Sequence, residues 1–348
     1  MNILKGINQV RRYLTQYLTK NIGNSQLANN IDANDNIAVK RVLICRPNHR
    51  LGNLLLITPL VNEVVAIFPD CKIDLFIKGN LGPIVFKNYK NIDNIISLPR
   101  KPFKKPIKYF KVWKSLKKKH YDLVINVVEK SSSGKIATKK AQSKYKVYGK
   151  IEEDSKIQYD NYEHIAKKPI YSLRHYLAQF GFSFVNDKIP SIDLKLSDIE
   201  LAKGRKIVDD LVNPNKKTIC LFTYATDDKC YSETWWLKFF EKLKTEFQDY
   251  NFLEVLPVEN ISMLNFKIPS FYSKDIREIC SVIANTAVFI GADSGIMHLA
   301  SASHTPTVGL FSRANQKEYQ PFNNKSIAIN TNNISNDACI NIIKTILG

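Results

Sequence analysis

The sequence predicts an α/β protein built from two Rossmann-like halves in tandem, each a parallel sheet covered by helices. Three observations carry this. Short apolar runs rich in β-branched residues recur at 41–45, 72–77, 94–98 and 121–128, and again at 218–223, 252–256, 288–291 and 307–311. Segments of helical spacing separate them, as at 58–68, and that alternation implies βαβ units. Between the two series lies 184–216, with Pro190, Pro214 and several polar residues, where a boundary is expected. At 348 residues, two domains of ordinary size are the natural division. The reading is therefore a leading segment 1–37, a first half 38–190 and a second half 191–348.

Composition narrows the partners. A hydrophobic content of 44% supports proper cores, and 24% charged is ordinary. The formal charge of +19, from 51 Lys+Arg against 32 Asp+Glu, asks for an anionic partner: nucleic acid, an acidic membrane face or a phosphorylated substrate. The six cysteines are scattered, mostly in apolar runs, with no C-x-x-C pair, and read as free thiols of a reducing compartment. No run reaches the roughly 18–20 apolar residues of a membrane span, and no signal peptide opens the chain. The expected location is cytoplasmic.

Residues 1–20 read as a basic amphipathic helix. Ile3, Leu4, Ile7, Val10, Leu14, Tyr17 and Leu18 share one face, and Lys5, Arg11, Arg12 and Lys20 decorate the rest. Such a helix suits an anionic bilayer interface, or its stripe packs on the body of the protein. Residues 21–37, rich in Asn, Asp and Ala, read as a linker. The strand at 41–45 leads into Arg46-Pro47-Asn48-His49-Arg50-Leu51-Gly52-Asn53, and the strand ending at Val128 leads into Glu129-Lys130-Ser131-Ser132-Ser133-Gly134. In open parallel sheets the ligand crevice lies at the carboxyl ends of the strands, so both loops face it. From Arg100 to Lys119 ten of twenty residues are Lys or Arg, with Phe103, Tyr109, Phe110 and Trp113 interleaved. Lys104, Lys105 and Lys108, with Arg50, are the candidate contacts to an anionic acceptor, although a charge run is also simply a solvated face. Nucleic acid fits the charge, but no recognition helix, aromatic RNA-binding pattern or zinc finger accompanies it, and no nucleic-acid partner is expected.

In the second half, the loop 224–232 follows the first strand and carries Thr226 and Lys229. The loop after 252–256 carries Glu259. The decisive stretch is 288–300, where an apolar strand ends at Gly291-Ala292-Asp293-Ser294-Gly295 and His298 follows in a new helix. Asp293 and Ser294 are natural N-cap residues. Gly295 has no Cβ, so a ligand's oxygens have room to approach the backbone. The helix start attracts anions, and His298 offers a proton donor. An ordinary capped helix with a packed histidine carries the same pattern. A last helix is expected at 336–347.

Asp293-Ser294-Gly295-Ile296-Met297-His298-Leu299-Ala300 resembles the D-[ST]-G-x-x-H-[LI]-A signature of the family 9 glycosyltransferases, the lipopolysaccharide heptosyltransferase family. Pro306-Thr307-Val308-Gly309-Leu310-Phe311 is similar to the P-x-V-x-L-F strand that follows it there. Lys229 resembles the lysine of the K-x-W loop, with Tyr231 where tryptophan is usual. The segment 50–60 resembles the R-x-G-D-x-(apolar)-T-P-L turn. The motifs fall in the family's order over roughly 40–322.

The resemblance implies a GT-B fold, with the acceptor in the first half and a nucleotide-sugar donor in the second. It implies inverting transfer of heptose or a similar sugar, from a donor typically ADP-linked, to a lipopolysaccharide core or related phosphorylated glycolipid. Neither metal nor cofactor is expected, in keeping with the lack of a D-x-D pair. The protein would then work as a peripheral partner of the inner face of the inner membrane. Asp293, Ser294, Gly295, His298 and Lys229 would hold the diphosphate, with Thr226 assisting and Glu259 a candidate for the ribose. Because GT-B chains often end in a helix that crosses back, 336–347 is expected to reach the first half.

One departure stands out: Asn53 occupies the position where the family carries an aspartate proposed as general base. An amide has no useful basicity near neutral pH. Three readings stay open. Asn53 orients the acceptor while His49 or Glu129 takes the proton; the proton leaves late to donor phosphate or water; or the protein binds a nucleotide sugar or glycolipid without catalysing.

Overall fold

In the computed structural model, residues 13, 15–23, 38–151, 156, 159, 161–184 and 188–348 are described, Phe103 by its main chain alone. The first half is a five-stranded parallel sheet in the order β3-β2-β1-β4-β5. In chain order its elements are β1 (Arg41–Cys45), α1 (Leu51–Leu55), α2 (Thr58–Ile67), β2 (Lys72–Lys78), α3 (Gly82–Val85), β3 (Ile92–Leu98), α4 (Pro106–Ser115), β4 (His120–Asn126), α5 (Ser132–Lys140), β5 (Gln142–Val147) and α6 (Lys168–Ala178). The centre of the sheet is apolar on both faces, as a helix-covered parallel strand must be: Val42, Leu43, Ile44 and Cys45 are all buried. The helix expected at 58–68 is preceded by a separate short turn of helix, α1. The backbone breaks at Leu56-Ile57 and restarts where Pro59 sits in the first turn of α2, a place that needs no N–H.

The second half is α7 (Asp198–Leu211), β6 (Thr218–Phe222), α8 (Glu233–Glu246), β7 (Asn251–Val255), β8 (Ser270–Phe271), α9 (Ile276–Ala284), β9 (Val288–Ala292), α10 (Gly295–Ala302), β10 (Thr307–Phe311), α11 (Gln316–Tyr319), β11 (Ile327–Asn330) and α12 (Asn336–Leu347). Its six strands run parallel in the order β11-β10-β9-β6-β7-β8.

The halves share a core. One apolar cluster runs from Val42, Leu54 and Leu60 in the first half to Phe289, Met297 and Leu299 in the second. The connection between them is tied to both. The Asp193 N–H donates to Thr58 (3.1 Å), the Tyr89 hydroxyl donates to the Asp193 carbonyl (2.7 Å), and the Leu194 N–H donates to the Ala302 carbonyl (3.0 Å). Arg277, 5% exposed, locks this joint. It grips both Glu200 oxygens (2.6 and 2.8 Å) and donates to the carbonyls of Ile84 (3.2 Å), Leu194 (3.1 Å) and Lys195 (2.9 Å).

Two expectations change. The last helix does not cross back. Cys339, Ile340 and Ile343 of α12 are buried in the second half's own outer core, and α12 is pinned to α8 by Lys242–Asp337 and Lys344–Glu246 ion pairs. Its amphipathic face finds a partner beside it and has no apolar surface left for the first half. Of the leading helix, residues 1–12 and 14 and the linker 24–37 lie outside the described residues. In the described remainder Thr19 makes the contact with the body, through Ser132 (3.0 Å), whereas Tyr17 and Leu18 of the apolar stripe are exposed. The cysteines at 45, 71, 220, 280 and 339 are buried, and Cys230 is half-buried.

Arg277→Ala strips a carboxylate and three carbonyls of their donor at a buried joint. Urea unfolding should report a loss of about 2–3 kcal/mol, at the low end for a broken buried pair because Glu200 keeps some water. A loss under 0.5 kcal/mol would refute the locking role.

Candidate active site

The carboxyl ends of the two sheets face one another. From the first half come the loop after β1 and the start of α1; from the second come the loops after β6, β9 and β10. Ser294 caps α10, its hydroxyl accepting from the Met297 N–H at 3.2 Å. Asp293 does not cap. Its carboxylate, 7% exposed, accepts from the Lys229 ammonium (2.5 Å) and from the Asn315 amide (2.9 Å). This corrects the expectation that Asp293 itself holds a diphosphate, since an ionised carboxylate accepts and cannot donate. Asp293 fixes Lys229 at the helix start instead.

The space beside Gly295 is shared with the first half. A Cβ at Gly295 would lie 3.5 Å from the Gly52 nitrogen and 3.6 Å from the Leu51 Cβ, so the amino ends of α1 and α10 confront each other. Neither helix has an acidic residue in its first turn, so two partial positive charges converge on one gap. His298 is 3% exposed and packs on Gly52, and its Nδ1 has no partner. Burial pushes its imidazole down to about 4, so it is neutral at neutral pH. The expected proton donor is thus a packed ring with at most one N–H to offer. Arg313 and Asn315 follow β10. Arg313 pairs with Asp228, yet its Nε, like the Asn315 Oδ1, is buried without a partner. These are three orphaned polar atoms on the elements that follow β9 and β10, of the kind a ligand or ordered water would satisfy.

On the first-half side, Arg46 is 8% exposed and its guanidinium donates to the Asn53 carbonyl oxygen. His49 is half-buried, and burial together with Arg100, Lys78 and Arg50 holds its imidazole below the usual histidine range. Glu129 is drawn away to Lys168 (3.5 Å) and lies beside the leading helix, where it lines a small cavity with Gln16, Thr19 and Lys20. Among the described residues no hydrogen bond or ion pair joins His49 or Glu129 to Asn53. A groove of about 510 Å³ is lined among others by Pro47, Lys78, Tyr109, Trp113, Ser131 and Ser132. Lys104, Lys105 and Lys108 are exposed on the outside of this wall, and Arg50 is exposed at its edge. Thr226 and Glu259 are exposed in their loops. Tyr231, in the usual tryptophan position, stacks on Trp235 (4.2 Å) and shares a hydrogen bond with Thr331 (2.8 Å).

Sequence reasoning missed Arg46, Arg313 and Asn315. Arg46 directly follows β1 and the other two lie in the loop after β10, so the rule that singled out Asp293 would have found them.

A sequence model of glycosyltransferase family 9 (heptosyltransferase) matches residues 273–346. Over 339 residues the chain is 23% identical to a protein of Escherichia coli (strain K12) taken to be lipopolysaccharide heptosyltransferase 4, covering 93% of this chain and 88% of that one. The match to glycosyltransferase family 9 lies in the second half of the chain. The fold is GT-B. A family 9 glycosyltransferase from Veillonella parvula superposes with a TM-score of 0.71 at 16% identity, over 91% of this chain and 99% of that one. The Escherichia coli heptosyltransferase WaaC, solved with ADP, gives 0.63 at 15%, over 88% and 99%. The same enzyme has been solved with ADP-2-deoxy-2-fluoro heptose.

In this chain Gly52 is a packing requirement. An alanine Cβ would come 2.7 Å from the His298 ring, so the two helix starts must part. Gly52→Ala should cost about 1–3 kcal/mol in chemical unfolding, and a cost near zero would mean that the starts do not touch in solution.

Acid should also loosen the joint. In the unfolded chain a histidine titrates near its ordinary value of about 6.5, whereas His298 and His164 are both held down to about 4 by burial. Between those values the unfolded state binds more protons, so stability falls as pH drops through that window and levels off below it. His304, raised by Asp193, opposes this. Urea midpoints at pH 7.5 and pH 5 should fall accordingly, and His298→Gln should flatten the slope; an unaltered slope would remove His298 from the account.

Proposed function

We propose that the protein transfers heptose or a closely related sugar from an ADP-linked donor to a phosphorylated glycolipid of the lipopolysaccharide core type, inverting the anomeric carbon. The confrontation of two acid-free helix starts, with Lys229 held at the gap by Asp293, is the observation that carries this reading. The diphosphate lies against the backbone N–H groups of Ser294 and Gly295, with Lys229, Arg313 and His298 around it. As the bond from the anomeric carbon to the diphosphate breaks, charge grows on the leaving oxygen, and fixed donors aimed there favour the transition state over the ground state. Thr226 and Glu259 stand in loops at the same sheet edge, where a ribose or base would extend.

The acceptor occupies the groove of Tyr109 and Trp113, its sugars stacked on the aromatic rings and its phosphates toward Arg50 and the lysines 104, 105 and 108. The attacking hydroxyl gives its proton to His49, which is neutral and therefore able to accept one. Glu129, committed to Lys168, is the weaker candidate. Ile107 and Phe110 are exposed on the lysine-rich α4, and Tyr17 and Leu18 on the leading helix. Apolar residues among cations suit the surface of an anionic bilayer, where each basic residue contributes about 1 kcal/mol. This supports work at the cytoplasmic face of the inner membrane, although among the described residues no helix is long and apolar enough to cross one.

Release of ADP from ADP-heptose with a lipopolysaccharide-core acceptor tests the assignment. Lys229→Ala should lower turnover by about 100-fold, the usual cost of one such donor. His49→Ala should lower it by 100-fold or more with little change in donor KM. Saturable ADP binding without turnover on any acceptor would favour a binding role over catalysis.

A further inference from the structure

Among the described residues three arginines are buried: Arg277 at 5%, Arg174 at 7% and Arg46 at 8% exposure. Two follow the rule that a buried charge is paired. Arg277 grips Glu200 through both oxygens, and Arg174 grips Glu63 likewise (2.6 and 3.0 Å). Arg46 breaks it. Its one side-chain partner is the Asn53 amide, and among the described residues no carboxylate stands within ion-pair distance. Tyr319, from the second half, is the one other side chain with an electrostatic influence on it. Burial lowers the guanidinium only to about 10, so it stays charged at neutral pH and that charge goes unanswered.

The partner's chemistry settles which way Asn53 faces. A guanidinium can only donate, so the amide must turn its oxygen to Arg46 and its NH₂ away. Among the described residues that NH₂ has no protein acceptor. Arg46 and Asn53 together therefore offer hydrogen-bond donors and one full positive charge, and accept nothing. An aspartate at the same position would have closed an ion pair with Arg46 and cancelled the charge internally.

We infer that Arg46 and Asn53 form a binding subsite for an oxyanion of the substrate, a carboxylate or a phosphate, at the floor of the cleft beside the β1 strand end. The substrate supplies the negative charge that Arg46 lacks in the free protein. Asparagine here is a selector for an acidic substrate group rather than a worn-out base. This rests on the sugar-transfer reading for which substrate brings the oxyanion: the acceptor through a sugar acid or phosphate, or the donor through its diphosphate.

Calorimetric titration and thermal melting of the full chain test it, with inorganic phosphate, glucuronate and ADP as probes. Asn53→Asp should melt higher than the wild type without ligand, because Arg46 gains its carboxylate, and should bind at least one probe class tenfold or more weakly. Arg46→Met should lose the same class. Loss confined to phosphate and glucuronate assigns the oxyanion to the acceptor, and loss of ADP assigns it to the donor; either locates the subsite. Wild-type affinity for all three probes retained within threefold in Asn53→Asp, or a lower ligand-free melting point in that variant, would overturn it. If Arg46→Met does not fold, Asn53→Asp alone decides. A wild-type protein that binds phosphate or glucuronate but never ADP would sink the nucleotide-sugar reading and leave this subsite standing.

Discussion

The approach of two helix starts organises everything else. α1 and α10 each follow a central strand, β1 and β9, and each points its amino end at the same gap. Like partial charges at close range repel, so this arrangement needs something to hold it together. Apolar contact does so: Leu54 and Met297 belong to one continuous core, and His298 packs against Gly52. Glycine at 52 is required because any Cβ would strike the ring. Neutral histidine at 298 is required for a related reason, since a protonated ring would add a third positive charge to a dry site. The packing and the electrostatics of the cleft are thus one constraint. A shared core of this kind forces the positive ends together, and an anion between them relieves the repulsion.

Lys229 belongs to the same logic. A free lysine near two helix starts would swing to solvent, at a cost in order but a gain in hydration. Asp293 prevents this by accepting its ammonium, and Asn315 steadies the carboxylate from the other side. The carboxylate also tempers the local charge of the empty cleft. On binding, a diphosphate would share the ammonium with Asp293 and meet donors already in place, without the reorganisation that water would have to undergo.

Much of this was legible from residue order. Strand runs such as 41–45 and 288–291 are apolar on both faces because the sheet is parallel and covered, and such runs announce themselves. β5 escaped notice because it is an edge strand, with Lys144 and Lys146 alternating against buried Tyr145 and Val147, and its lysines read first as a surface charge run. The break between α1 and α2 was hidden for want of glycine; Leu56 and Ile57 continue the apolar pattern through it. Ser294, Gly295 and Lys229 fell where the pattern put them. What no pattern revealed was partnership. That Asp293 serves a lysine rather than capping a helix, and that Glu129 is spoken for by Lys168, depends on loops more than thirty residues apart in sequence. Arg46 shows the reverse case: its position was readable, but only its missing carboxylate gives it meaning.

Replacing the expected aspartate with asparagine looks like a loss of catalysis, yet the magnitudes argue otherwise. General base assistance is worth about 10²–10⁴-fold. A single well-placed donor to a developing negative charge is worth about 10²–10³-fold, and this cleft collects several: two helix starts, Lys229 and Arg313. A transition state in which the leaving group departs early needs little help at the nucleophile, because the anomeric carbon is already electron-poor when attack begins. The proton then leaves late, and a neutral imidazole suffices to receive it. Under those conditions a carboxylate beside Arg46 would contribute less than its place suggests, while its charge would deny that site to an acidic substrate. On the proposed reading, strengthening the leaving-group side frees the position at 53 to serve recognition.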